Sequence, residues 1–226
     1  MSNITYVTGN YGKYISVKEK FERYGIKIDY ANIDIQESEI NDIKIISKEK
    51  AKIAFEQINS PVFVIDCGFY IKNYPNNPYY PGAFVKRSGV ANNIDKVLRD
   101  MENIEDRSCY FLDCLTYYDG EDFVQFYGKS EGTLSKEKRG DELKKAKSNL
   151  WYLFVPKNCD KTLAQMTDDE RMSRQDERTD ATLDFINWIK SNQKNKEKIL
   201  IKKSNENQHF FLFMLFLLFL SIDKMG

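Results

Sequence analysis

The run Pro61-Val62-Phe63-Val64-Ile65-Asp66-Cys67-Gly68-Phe69 closes an apolar, β-branched stretch on a carboxylate and a glycine, then continues to Pro81-Gly82 and Lys86. The pattern predicts a buried strand that delivers Asp66 to its C-terminal end, where open α/β sheets keep their sites. Asp before Gly is also ordinary turn chemistry, so the triplet alone leaves a capping aspartate open. A second candidate lies near the N-terminus, where Ile4 to Val7 reads as a strand and Thr8-Gly9-Asn10-Tyr11-Gly12-Lys13 leads into a helix. Backbone N–H groups at a helix start, the helix dipole and the Lys13 ammonium together suit a phosphate. This is not a Walker loop, which needs a Ser or Thr after the lysine where Tyr14 stands; a plain strand-turn-helix connection would use the same residues. Glu39, in the acidic stretch Glu37-Ser38-Glu39 ahead of a helix starting at Asp42, is either a dipole partner or a metal ligand.

Composition narrows the chemistry. The 34 basic and 34 acidic residues cancel, which leaves no global field for nucleic acid and makes any anion site local. The only histidine is His209, in the tail, so triads and histidine-bound metals are excluded from the folded body. Carboxylates, lysines, arginines and an oxygen-ligated metal remain as catalytic parts. The four cysteines form no C-x-x-C pair, so neither a zinc site nor a disulfide framework is indicated. With no basic segment followed by an apolar one at the start, a cytoplasmic location is expected.

Those residues need elements to hold them. A helix after Lys13 would put Tyr14, Val17, Phe21 and Tyr24 on one face and stop at Gly25, and 26–35 alternates as a second strand. The Asp42 helix carries Ile43, Ile46, Ala51, Ala54 and Ile58 inward and returns the chain to the Asp66 strand. The Pro-, Asn- and Tyr-rich stretch 72–81 predicts a long loop, and 92–101 a helix. Aromatic, β-rich runs around Asp119-Gly120 predict a hairpin, its second strand continuing through 128–134 with a bulge or a close approach. The charged run 136–147 reads as solvated loop and helix, and Trp151 to Pro156 as a strand or an aromatic wall. Helices are expected over 167–178 and 181–190. The Lys- and Asn-rich stretch 191–209 reads as linker. The apolar block 210–220 falls short of the roughly 20 residues of a membrane span. A weak anchor or membrane contact, an oligomer contact and a shifted reading frame all remain open for this appendage, 210–226.

Taken in order, these stretches resemble the inosine triphosphate pyrophosphatase family, which hydrolyses deaminated purine nucleoside triphosphates to the monophosphate and pyrophosphate. The resemblance covers residues 1–190, taken as one catalytic domain. It rests on Val7-Thr8-Gly9-Asn10 with Lys13, Glu39, Asp66-Cys67-Gly68-Phe69, and Pro81-Gly82 with Lys86. It continues through Gly128-Lys129-Ser130-Glu131-Gly132, Arg139-Gly140, Phe154-Val155-Pro156 and Thr162 to Met166, then Glu170-Arg171 and Arg178. It implies an α/β fold, elongated and two-lobed around a long twisted mixed β-sheet flanked by helices, and a homodimer. It also implies that Thr8, Gly9, Asn10 and Lys13 hold the triphosphate, and that Glu39 and Asp66 bind Mg²⁺ or Mn²⁺. Asp66 would further orient the attacking water, and Lys86 would neutralise phosphate charge.

Departures from the family pattern fall unevenly. The acidic residue usual before the catalytic Asp is Ile65 here. Where the family has Phe-Gly-(Trp or Tyr)-Asp, this chain has Ser148-Asn149-Leu150-Trp151, and the Ser-His-Arg triplet reads Asp176-Glu177-Arg178. The phosphate half is kept and the base half rewritten, with Trp151, Arg171 and Arg178 left as substrate contacts. A pyrophosphatase of altered base specificity is expected. A nucleotide-binding or regulatory protein that has lost catalysis is the alternative, and an inactive product of a decayed gene a third.

Overall fold

The computed structural model describes residues 4–36, 38–141, 148–174 and 178–192. The expected linker and apolar block lie outside those residues from 193 on, as do His209 and the run 142–147. The chain divides into two compact units, Met1–Asp184 and Phe185–Gly226. Among the described residues no helix is long and apolar enough to cross a membrane.

The first unit is built on a seven-stranded mixed sheet. β1 (Ile4–Val7) pairs in parallel with β2 (Ile28–Ala31) and β3 (Val62–Ile71). β5 (Ser108–Tyr118), β6 (Phe123–Leu134) and β7 (Phe154–Pro156) continue the sheet from β3 in antiparallel order, and the short β4 (Tyr80–Gly82) pairs with the far end of β3. The hairpin around Asp119-Gly120 forms as expected. Its register is unbroken from Ser108↔Thr133 to Tyr118↔Phe123, so the glycines of β6 mark close approach rather than a bulge. A Cβ at Gly132 would come within 2.3 Å of the Val155 carbonyl oxygen, and one at Gly128 within 3.0 Å of the Ala181 nitrogen.

Helices cover both faces. α1 (Tyr11–Glu22) packs through Phe21 on Phe63, which stacks in turn on Tyr6. α2 (Ile43–Ile58) covers the opposite face, where Ala51 and Ala54 meet Val7, Val62 and Val64. α3 (Val85–Ser88) and α4 (Ile94–Asp100) follow β4, and the core beyond them gathers Phe69, Ile71, Met101, Leu150, Phe154 and Met166. α5 (Asp168–Ser173) and α6 (181–192) end the described chain.

Several expectations are corrected. β2 covers only part of 26–35, because its pairing with β1 ends when β1 does. Trp151 and Tyr152 belong to a single 3₁₀ turn (Asn149–Tyr152), and only Phe154–Pro156 is strand. The helix expected over 167–178 is limited to α5, started by a capping box between Thr167 and Glu170. Most consequential, the Asp66 strand does not end at Asp66. β5 supplies a partner for every residue from Val62 to Ile71, so the ladder runs straight through the carboxylate and Gly68. Gly68 is needed there, because a Cβ would strike the Tyr70 ring at 2.6 Å.

Candidate active site

Although β3 continues, its other edge does not stay covered. β1 leaves it after the Tyr6↔Phe63 pair and β4 joins it only at Phe69, so 64–68 borders a notch in the sheet with no paired strand among the described residues. The crevice of an open α/β sheet, just past the C-terminal end of a parallel strand, is thus recovered beyond β1 rather than at the end of β3.

The N-terminal wall of the notch is the start of α1. Asn10 caps the helix, its Oδ1 accepting from Lys13 N at 3.0 Å, and Thr8 Oγ1 accepts from Asn10 N at 3.2 Å. Both side chains serve the turn that aims the helix N-terminus at the notch. Gly9 has no positive φ, and a Cβ there would find only Asn32 Oδ1, at 3.8 Å. The opposite wall is β4, where Asn41 donates to the Pro81 carbonyl at 3.2 Å and accepts from Ala83 N at 2.7 Å. These bonds bring the segment before α2 alongside. Glu39 projects from it, largely exposed, and pairs with Arg87 at 2.9 Å. Lys86 stands exposed on α3.

Alternation along β3 sends Asp66 and Cys67 to opposite faces. On the α2 face, Asp66 forms an ion pair and hydrogen bond with Lys50, both side chains being largely buried. On the α1 face, Lys13 Nζ lies 3.9 Å from Cys67 Sγ, and Asp113 is the cross-strand partner of Cys67. The Cys67 thiol is open to the notch yet walled by protein. Burial and then the Asp113 carboxylate push its pKa far up, so it stands as a neutral S–H donor to Asp113. Each face of β3 therefore presents a lysine and a carboxylate to the notch: Lys50 with Asp66, and Lys13 with Asp113 through Cys67.

The remaining predicted residues gather elsewhere in the first unit. The Arg171 guanidinium lies over the Trp151 ring at 5.3 Å and donates to the Leu163 carbonyl at 2.9 Å, to the Met166 carbonyl and to Asp168. Arg178 donates to the carbonyls of Arg171 and Met172, both at 2.7 Å. Among the described residues no group of three or more His, Cys, Asp or Glu forms a metal cage.

Lys50 and Asp113 were not among the residues singled out from the sequence. Lys50 had a signal: it falls on the stripe of Ile43, Ile46, Ser47, Ala51 and Ala54 that α2 buries, and a lysine on an inward stripe requires a partner. Asp113 had only its place inside a strand.

A profile of the Ham1 family matches residues 4–188. The chain belongs to the Ham1 family. It is similar to proteins named dITP/XTP pyrophosphatase from Thermococcus kodakarensis, at 27% identity over 191 residues (84% of this chain, 99% of that one), and from Saccharolobus solfataricus, at 28% over 189 residues (82% and 92%). An inosine triphosphate pyrophosphatase 1 of Trypanosoma cruzi is 28% identical over 171 residues, covering 74% of this chain and 83% of its own. Among solved structures, a HAM1 protein from Coxiella burnetii superposes with a TM-score of 0.71 at 21% identity, over 84% of this chain and 100% of that one. The Staphylococcus aureus Ham1 protein does so with a TM-score of 0.68 at 18% identity, over 84% and 100%. These two carry the fold: a mixed sheet flanked by helices, as the resemblance implied.

Proposed function

We propose that this Ham1-family chain is a nucleoside triphosphate pyrophosphatase, acting on deaminated or otherwise non-standard purine nucleotides with an altered base preference. The observation that supports it most is the notch beside 64–68, with a lysine and a carboxylate on each face and a helix N-terminus at its wall. The names of the relatives supply the substrate class.

In this reading the triphosphate lies against the start of α1, held by backbone N–H groups, Thr8, Gly9, Asn10 and Lys13. Asp66 aims a water at the α-phosphorus and takes its proton. An oxygen–phosphorus bond forms there as the bridging bond to the β-phosphate breaks, and pyrophosphate leaves. Lys50 fixes the Asp66 carboxylate, while Lys13 and Lys86 balance the charge that grows on the leaving group.

The donor set suits a hard divalent ion. Glu39 and Asp66 are oxygen donors of the kind Mg²⁺ takes, one or two carboxylates together with substrate phosphates and waters. Mg²⁺ or Mn²⁺ held by these two carboxylates would supply further charge neutralisation at the phosphates. Trp151, with Arg171 and Arg178 behind it, forms the base side in this reading, and the active assembly is a homodimer.

The test is pyrophosphate release from a panel of inosine, xanthosine and the four ordinary nucleoside triphosphates, with Mg²⁺ and with chelator, alongside calorimetric binding. Metal-dependent release with a ranking among bases is the expected result. Tight binding without release would instead establish the nucleotide-binding alternative.

A further inference from the structure

A cavity of about 540 Å³ opens on the sheet away from the notch, and its side chains have no task in the pyrophosphatase reading. Strand register builds its floor. Tyr110 on β5 pairs with Glu131 on β6, and Ser108 with Thr133. Lys72, just past β3, extends the ladder on one side by donating its N–H to the Ser108 carbonyl, and Lys157, just past β7, extends it on the other by donating to the Glu131 carbonyl, both at 2.9 Å. Alternation puts Ser108, Tyr110, Lys129 and Glu131 on the face that carries Asp66. Lys72 is six residues beyond Asp66 in the chain, so roughly 20 Å separates this cavity from the notch carboxylate.

The lining holds three lysines, Lys72, Lys129 and Lys157, and one carboxylate, Glu131, which binds Lys129 at 2.5 Å. Asp106 pairs with Lys72 at 3.5 Å from outside the cavity, and even with it counted the lysines are in excess. That local excess suits an anion in a chain with no net charge. At the Lys72 end stands Tyr79, from the Pro-, Asn- and Tyr-rich stretch 72–81. Its N–H donates to the Ile71 carbonyl at 2.8 Å, its side chain is 49% exposed, and its backbone is held at φ +66, a left-handed conformation that a bulky residue rarely takes. Such strain is characteristically kept where it holds a side chain for a ligand. An exposed ring thus lies at the β3 side and two lysines at the β6 and β7 side, about 14 Å apart over three strand spacings. We propose that this cavity is a second nucleotide site, taking the base against the Tyr79 ring and the phosphate at Lys129 and Lys157. Such a site is additional to the notch and independent of whether the notch turns over triphosphate.

Calorimetry on the full chain with inosine monophosphate, and separately with inorganic phosphate, tests this. The Lys129→Ala/Lys157→Ala double variant should bind one equivalent of inosine monophosphate fewer than the wild type, with turnover of the preferred triphosphate unchanged. A fall from two equivalents to one means that the notch also binds; a fall from one to none would sink the notch reading and leave this one standing. Glu131→Gln, which removes the competing carboxylate, should tighten the site severalfold. Tyr79→Asn should melt at the same or a higher temperature, because asparagine accepts the left-handed backbone, yet weaken inosine monophosphate about tenfold without affecting inorganic phosphate. An equal number of sites in the double variant overturns the proposal. So does a double variant whose oligomeric state changes in sedimentation while its binding does not, since the face would then belong to a second copy of the chain.

Discussion

At the notch, Lys13 and Lys50 reach from two helices to side chains on β3. In the α5 segment, Arg171 and Arg178 turn back onto carbonyls of their own neighbourhood. Both regions concentrate cations, but they use them differently. A lysine paired with a carboxylate at an open edge can exchange that partner for a phosphate. A guanidinium that satisfies several backbone carbonyls holds a loop in shape, and withdrawing it would leave buried acceptors unpaired. The notch is therefore the region that the pyrophosphatase reading assigns to a charged ligand, and the α5 segment holds Trp151 and the chain from Leu163 to Met166 in place.

Substitutions can break or sharpen this contrast. Asp66→Asn carries the largest expected effect: turnover should fall about 10³-fold, as when a group aimed at the reacting centre is lost, with circular dichroism unchanged but melting lowered, because the amide oxygen still accepts from Lys50 without balancing its charge. Retained turnover would remove Asp66 from the chemistry. Lys50→Met should lower kcat about 10²-fold and also cost about 3 kcal/mol in urea unfolding, since it strands a largely buried carboxylate; a stable, active variant would mean that the pair is incidental. Arg171→Ala should leave kcat within a few-fold for the best substrate while flattening the ranking of bases, with a stability loss of about 1–2 kcal/mol from the freed carbonyls. A large fall in kcat at unchanged ranking would erase the distinction between the two regions.

The smallest effect concerns what holds α1 in place. Lys20 pairs with Asp180, which also accepts from the N–H groups of Thr182 and Leu183 at the start of α6. Burial alone would raise the Asp180 pKa, but Lys20 and these N–H groups outweigh it and hold the carboxylate below its usual range. A group whose folded pKa is depressed stabilises above its unfolded value of about 4 and loses that contribution as pH falls through the folded value. Melting temperature should therefore drop between about pH 5 and pH 3 less steeply in Asp180→Asn than in the parent chain. Equal slopes would show that Asp180 does not tie the cradle helix down.

Local chemistry was readable in the chain. The helix led into by the 8–13 turn, the Asp42 helix start and the Asp119-Gly120 hairpin depend on residues a few positions apart, and the structure has each of them. The extent of β3 was not readable, because it depends on β5, some fifty positions further along, pairing through the carboxylate. Nor was the partner of Asp66, although a lysine on the buried stripe of α2 was a clue. The base side was harder still, since whether an arginine meets a ligand or a carbonyl is decided by loop packing that no spacing encodes.

By itself the sequence determined that any anion site is local, that histidine chemistry is absent from the body, and that helix starts and turns fall where their capping residues lie. Composition and short-range hydrogen bonding are properties of the chain alone. Only the tertiary structure decided that Asp66 lies beside a notch along an edge of β3 that is unpaired among the described residues, rather than at a strand end. It also placed Lys13 against Cys67 on one face of β3 and Lys50 with Asp66 on the other. Those arrangements arise from strand register and helix packing between distant segments, and their energies exist only once the sheet is assembled.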